Sequence, residues 1–181
     1  MQLQPWDEII AGCRNKSVAA QSAAYRQSWR MVFPAVYGLL RNREEAEDVM
    51  QDGYVKAFAR IEELREAERF VPWMKSICMR HALDKLRAKQ RQNKWFPDFE
   101  AHTHSESAPD ETVEWQSEQL GRVKAAMEEL PEGYRVVIRL YLLEDMSHDD
   151  VAEMLGITPG TARSQYSRAM KKLKQTVTEL T

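Results

Sequence analysis

The sequence predicts an all-α protein of two small helical domains joined by a flexible acidic linker. Three observations lead there. Apolar residues recur at the helical period in both halves of the chain, and charge is segregated along it. Residues 147–174, SHDDVAEMLGITPGTARSQYSRAMKKLK, read as two helices broken by a tight turn. At 181 residues, 43% hydrophobic and 30% charged, the chain has an ordinary soluble balance with room for two compact helical units.

In the N-terminal module, Trp6, Ile9, Ile10 and Cys13 form a first amphipathic set. A second apolar stretch runs from Ala20 through Tyr25 and Trp29 to Leu40, with Pro34 expected as a break or kink and Asn42 as its close. The next stretch, REEAEDVMQDGYVKAFARI, turns Ala46, Val49, Met50, Gly53, Tyr54, Ala57, Phe58 and Ile61 toward a core. It leaves Glu45, Asp48, Gln51 and Asp52 outside. Acids early and Lys56 and Arg60 late suit the helix dipole. On spacing alone that acidic face is a solvated surface before it is a docking surface.

A further helix is expected from about Phe70 to Arg91, with Phe70, Trp73, Met74, Ile77, Cys78, Ala82 and Leu86 as its apolar stripe. Elsewhere on it Lys75, Arg80, Lys85, Arg87, Lys89, Arg91 and Lys94 stand against Asp84 alone. A charge run is usually a solvated face. This one adjoins Phe70 and Trp73, and cations beside aromatic rings suit single-stranded or opened nucleic acid.

The net charge of −2 conceals the segregation. Lys plus Arg against Asp plus Glu stands at 17 to 12 in residues 1–94, 0 to 7 in 95–120 and 9 to 9 in 121–181. The acidic centre, PDFEAHTHSESAPDE, mixes prolines, serines and acids without periodicity, which predicts a solvated linker. Domains are therefore expected at 1–94 and 117–181, with the linker at 95–116. His102 and His104 have no nearby cysteine or third histidine, so no metal site is expected there. Cys13 and Cys78 sit in apolar patterns and read as reduced packing residues. There is no apolar run of membrane-spanning length, and MQLQPWDEII is acidic where an export signal is basic, so a cytoplasmic location is expected.

In the C-terminal module, Ser147 can cap a helix whose Asp150 adds charge favoured by the dipole, and Gly156 supplies a stop. Thr158 then caps a second helix with Pro159 at its first position. Ala162, Tyr166, Ala169, Met170 and Leu173 fall on one stripe, leaving Arg163, Gln165, Ser167, Arg168, Lys171 and Lys172 largely outside it. From Arg163 to Lys174 there are five basic residues and no acidic one, which suits a phosphate surface. The arrangement predicts a helix-turn-helix with its second helix in a DNA major groove.

Other classes fit parts of the pattern. A conventional helix-turn-helix regulator explains the C-terminal module, yet normally binds paired half-sites as a dimer and has no use for the basic helix led by Trp73. A helical protein-binding adaptor would use the charged faces as rim contacts. No enzyme is expected, nor any cofactor or small-molecule substrate. The four histidines are scattered, and GITPG lacks the lysine of a phosphate-binding loop.

Taken in order, AEDVMQDGYVKAF, RFVPWMKSICMRHALDKLR and LPEGYRVVIRLYLLEDMSHDDVAEMLGITPGTARSQYSRAMKKL resemble a bacterial RNA polymerase sigma factor of the extracytoplasmic-function type, in the sigma-70 family. The likeness spans nearly the whole chain. It implies a region 2-like bundle, a region 4-like helix-turn-helix domain, and promoter-specific initiation with core RNA polymerase, held through its β′ clamp helices and β flap. It also implies that Asp48, Gln51 and Asp52 contact the clamp helices. Lys75, Ser76, Arg80, Asp84 and Arg87 would serve the minus-10 element, with the loop Glu62 to Arg69 bordering a pocket for an extruded base. Arg163, Ser164, Gln165, Ser167, Arg168 and Lys171 would serve the minus-35 element. The acidic linker would thread toward the polymerase's RNA exit and active-centre channel, and an anti-sigma factor would be the regulatory partner. Many members carry asparagine where this chain has Arg80, and the slot of Ser167 varies among relatives, so the promoter sequence does not follow from kinship.

Overall fold

The computed structural model describes residues 4–90 and 120–179, and among them every regular element is helical. The expected linker at 95–116, His102 and His104, and the cations Arg91 and Lys94 lie outside the described residues. The chain divides into two compact units, Met1–Lys89 and Gln90–Thr181.

The first unit holds α1 (Trp6–Arg14), α2 (Val18–Leu40), α3 (Arg43–Ala59) and α4 (Phe70–Gln90), with single 3₁₀ turns at Ile61–Glu63 and Ala67–Arg69 between the last two. Pro34 does not end α2, which runs on to Leu40. A proline inside a helix forfeits one backbone bond, and here the buried Val32, Ala35, Val36, Leu39 and Leu40 around it hold the helix to the core. Asn42, expected to close that helix, instead opens the next. Arg41 ends α2 in the left-handed region at φ 53°, and the Asn42 side chain accepts from the Glu45 amide at 3.0 Å as the cap of α3.

The core joins α1, α2, α3 and α4. Phe70, Met74, Cys78, Ala82, Leu83 and Leu86 of α4 are buried with Val49, Met50 and Tyr54 of α3. Each large apolar side chain so buried contributes about 1.5–3 kcal/mol. Contact between α3 and α4 is close enough that a Cβ on Gly53 would collide with Cys78 Sγ and crowd Met74. A polar link also lies in this interior: the Ser28 hydroxyl, which bonds Ala24 O at 2.6 Å, lies 2.6 Å from the Tyr54 hydroxyl. Burial pushes the Tyr54 phenol far above its ordinary range. Cys13 and Cys78 are buried free thiols, in keeping with packing roles, and burial pushes Cys78 up to about 12.

The second unit holds α5 (Leu120–Glu129), α6 (Glu132–Ile138), a π-helical turn at Arg139–Leu143, α7 (His148–Leu155) and α8 (Pro159–Glu179). The turn signals work as their chemistry requires. Ser147 Oγ accepts from the Asp150 amide at 3.2 Å while the Ser147 amide donates to Asp150 Oδ2 at 3.2 Å, a reciprocal cap worth about 1 kcal/mol. Gly156 stops α7 at φ 68°, with its own amide on Glu153 O at 3.3 Å and the Ile157 amide on Ala152 O at 3.0 Å. Thr158 Oγ1 then accepts from the Thr161 amide at 3.1 Å to start α8 behind Pro159.

Candidate nucleic-acid interface

On α8, Arg163, Ser164, Ser167, Arg168 and Lys171 stand at spacings of one and three and share the face turned from the core. Gln165 does not join them. It is 4% exposed and sits with Ala162, Ala169, Met170, Leu173 and Thr176 on the packed side, whereas Tyr166, expected at the centre of that side, is half-buried. The expectation for Gln165 is corrected on this point. The buried stripe is turned slightly from the phase read from the apolar residues, because Thr176 and Gln165 share it with them. With Gly156 and Thr158 forming the turn, the exposed face of α8 offers arginine forks, hydroxyls and a lysine, the donors that read base edges and neutralise phosphates.

In the first unit, Trp73, Ser76, Arg80, Asp84 and Arg87 recur at spacings of three and four and so form a single stripe along α4. Lys75 falls on a different side of the helix. Asp84 and Arg87 are joined within the stripe, with Arg87 Nη1 donating to Asp84 Oδ1 at 2.9 Å. At its N-terminal end the stripe meets a cavity of about 490 Å³ lined by Glu63, Leu64, Arg65, Glu66, Arg69, Pro72 and Trp73. The loop Glu62 to Arg69 thus borders a pocket. The loop is held from behind: Arg14 Nη2 donates to Leu64 O at 2.6 Å and lies in an ion pair with Glu62, while Arg69 Nε donates to Glu66 at 2.8 Å. Trp6 lies tilted against Phe70 at 5.1 Å between ring centroids, and Phe70 lies 6.3 Å from Trp73. Trp73 is half-buried and lines the pocket.

Asp48, Gln51 and Asp52 are all exposed on α3. Asp48 is not isolated, because its carboxylate lies 3.7 Å from the ammonium of Lys85 on α4. Beside that pair, Lys56 contacts His81 Nε2. Burial, with Lys56 nearby, holds the His81 imidazole below its ordinary range, against the opposite pull of Asp52 and Asp84. Sequence reasoning missed Val55, which is 70% exposed between these acids. Its spacing was the available signal, since it stands four residues after Gln51 and seven after Asp48, opposite the core.

Two compact helical units, one ending in a helix-turn-helix and one with a polar, cation-bearing stripe leading from a pocket, fit the class of nucleic-acid-binding proteins. Residues 24–92 match the family model for Sigma-70 region 2, and residues 120–173 match that for Sigma-70, region 4. The chain belongs to the sigma-70 family and is an extracytoplasmic-function sigma factor, acting in promoter-specific transcription initiation with RNA polymerase. It is 27% identical over 143 residues to the RNA polymerase sigma factor SigV of Bacillus subtilis, covering 79% of this chain and 82% of that one. It is 28% identical over 156 residues to the ECF RNA polymerase sigma-E factor of Haemophilus influenzae, covering 80% and 82%. In fold it is similar to the sigma factor RpoE from Bartonella quintana, solved in complex with the anti-sigma factor NepR, with a TM-score of 0.52 at 22% identity over 85% of this chain and 96% of that one.

Proposed function

We propose that the three surfaces divide the work of initiation. The α3 face of Asp48, Gln51 and Asp52, with Val55 as its apolar centre, docks on the β′ clamp helices of core polymerase. The second unit engages the β flap and lays α8 in the minus-35 major groove. Arg163, Ser164, Ser167, Arg168 and Lys171 make the contacts there, and Gln165 holds the helix in place from its packed side. The α4 stripe tracks the minus-10 strand, with Ser76 and Arg80 nearest the pocket and Arg87, steadied by Asp84, further along. Lys75, off the stripe, serves a phosphate.

The observation that supports this best is the continuity of the α4 stripe with the pocket beside Trp73. A base extruded from the duplex costs a few kcal/mol, and stacking at about 1–3 kcal/mol per base offsets that cost. Such a site holds strands open rather than reading an intact duplex. The protein works in the cytoplasm without catalysing a reaction itself. Among the described residues no helix is long and apolar enough to cross a membrane. An anti-sigma factor is the regulatory partner, by likeness to the RpoE–NepR complex. The acidic linker threads toward the polymerase's RNA exit and active-centre channel.

Footprinting tests the assignment. The chain with core polymerase is expected to protect both promoter elements and to make minus-10 thymines reactive to permanganate, whereas the chain alone gives neither. Protection of paired half-sites by the chain alone would replace this reading with that of a conventional regulator.

A further inference from the structure

The helix α1 lies ahead of the stretch that matches region 2, and the division of labour above gives it no task. It nonetheless meets the surroundings of the pocket beside Trp73 from both ends. Its first residue, Trp6, lies against Phe70 at the start of α4, and its last, Arg14, reaches the loop that precedes α4. The helix itself is firmly seated. Ile9, Ile10 and Cys13 are buried, and a Cβ on Gly12 would collide with Ala20 of α2. Just ahead of α1, the Gln4 amide donates to Gln27 Oε1 at 3.2 Å and Gln27 Nε2 returns a bond to Gln4 O at 3.1 Å.

The loop consists of two 3₁₀ turns with an extended joint between them. The first turn is closed by the Leu64 amide on Ile61 O at 3.2 Å, and the second by the Arg69 amide on Glu66 O at 3.0 Å. Between them the backbone is extended, with Leu64 at φ −73°, ψ 108° and Glu66 at φ −119°, ψ 121°. Leu64, Arg65 and Glu66 all line the pocket, so the course of this joint shapes the wall. Arg14 holds the joint without lining the pocket itself. Its Nη2 donates to Leu64 O at 2.6 Å, while its Nε lies 3.7 Å from a Glu62 carboxylate oxygen. A peptide unit is planar, so a carbonyl fixed in direction fixes the amide that follows it and the path into Arg65. The donor is a charged, planar guanidinium, which makes the bond stronger than a neutral one and gives it a set direction. With its side chain buried, Leu64 is held by the core on one side and by α1 on the other.

We propose that Arg14 is a positioning residue for base selection at the minus-10 pocket, acting through the Leu64 carbonyl without touching the base. A site discriminates only as far as its wall keeps its shape, because a wall that yields accepts the wrong base at little cost. Released from Arg14, the joint gains rotation about Leu64 and Arg65, and the wall adapts to bases that the fixed one disfavours. The inference rests on the reading of this pocket as the place of an extruded base.

The test uses the full chain with core polymerase and single strands carrying the minus-10 element of a promoter it transcribes. An abasic site moved along the strand finds the nucleotide that enters the pocket, as the position where removing the base costs wild type most affinity. All four bases are then placed there, and the ratio of best to worst affinity is compared for wild type, Arg14→Met, Arg14→Gln and Arg14→Lys, each alongside its melting curve. Methionine keeps an apolar stem and loses the donor, and is expected to lower the ratio roughly threefold or more. Glutamine, whose amide ends where the arginine Nε stands, should behave like methionine. Lysine, which retains a long stem and an N–H donor, should recover part of the loss. A role in stability alone would lower the melting midpoint and weaken all four bases alike. If Arg14→Met keeps the wild-type ratio, the inference is overturned, whatever its melting midpoint. Should the methionine variant not fold, the glutamine variant carries the same decision. A wild-type complex indifferent to base removal at every position would instead reject the pocket reading above, so the two failures are separable.

Discussion

The Asp48 carboxylate lies 3.7 Å from the Lys85 ammonium, joining the acidic face of α3 to the basic helix α4. With the Asp48 side chain 69% and the Lys85 side chain 33% exposed, the pair is largely solvated on the acid's side, and such surface bridges contribute about 0–1 kcal/mol. Its consequence is therefore orientation more than stability.

Asp48→Ala should lower affinity for core polymerase while moving the thermal midpoint little. Titration of labelled core with the variant, alongside its melting curve, checks both halves. Lys85→Ala leaves Asp48 in place and should cost less core affinity than Asp48→Ala. Normal core binding by Asp48→Ala would remove the docking role from this residue.

Gly53→Ala places a methyl group in collision with Cys78 Sγ and should cost about 1–3 kcal/mol by overpacking. Urea denaturation reads that loss. Combining it with Cys78→Ala should recover much of it, because the two residues share one contact. Simple additivity of the two changes would contradict the close packing of α3 on α4.

His81 gives the fold a pH dependence whose sign is fixed. Burial first, then Lys56, holds its pKa below the ordinary 6.5, so the unfolded chain binds the proton more readily than the folded one. The associated stability is present above pH 6.5 and is lost as pH falls from there through the lower folded value. Thermal midpoints at pH 7.5 and 5.5 should therefore differ more for wild type than for His81→Gln.

Arg168→Ala and Gln165→Ala should part company although three residues separate them. The first should weaken promoter binding and reduce the salt slope by about one with stability intact. The second should lower the unfolding free energy while leaving the ranking of minus-35 base variants unchanged, because Gln165 is packed. Promoter-variant binding series and denaturation curves on both proteins provide the comparison.

The sequence displayed what is local and periodic. The Ser147 cap, the Gly156 stop, the Thr158–Pro159 start and the apolar spacing of α3 are each set by neighbours within a turn or two, and all appear in the structure. Three features were harder to read. Pro34 was expected to interrupt α2 because its missing N–H is a local fact, but the surrounding burial that outweighs it is tertiary. Asn42 was given to the wrong helix because a cap residue looks the same at a close as at an opening until the bond to the Glu45 amide is seen. Gln165 was placed outside because polarity was taken for exposure, whereas its spacing from Ala162 and Ala169 already put it on their side. The pocket beside Trp73 came from family likeness rather than from spacing. The Asp48–Lys85 and Tyr141–His148 contacts depend on elements meeting in space, the second by way of a π-helical turn that no periodicity announces.

The central claim is that these surfaces bring polymerase to a promoter and open it. Multiple-round transcription with purified bacterial core enzyme, the chain and a pool of randomised templates tests it most directly. The account predicts new transcripts whose templates share two separated upstream elements, with starts lost for Trp73→Ala on duplex templates and partly restored on templates already opened at minus-10. A chain that binds core yet adds no starts above core alone, or whose starts are indifferent to Trp73, would contradict it.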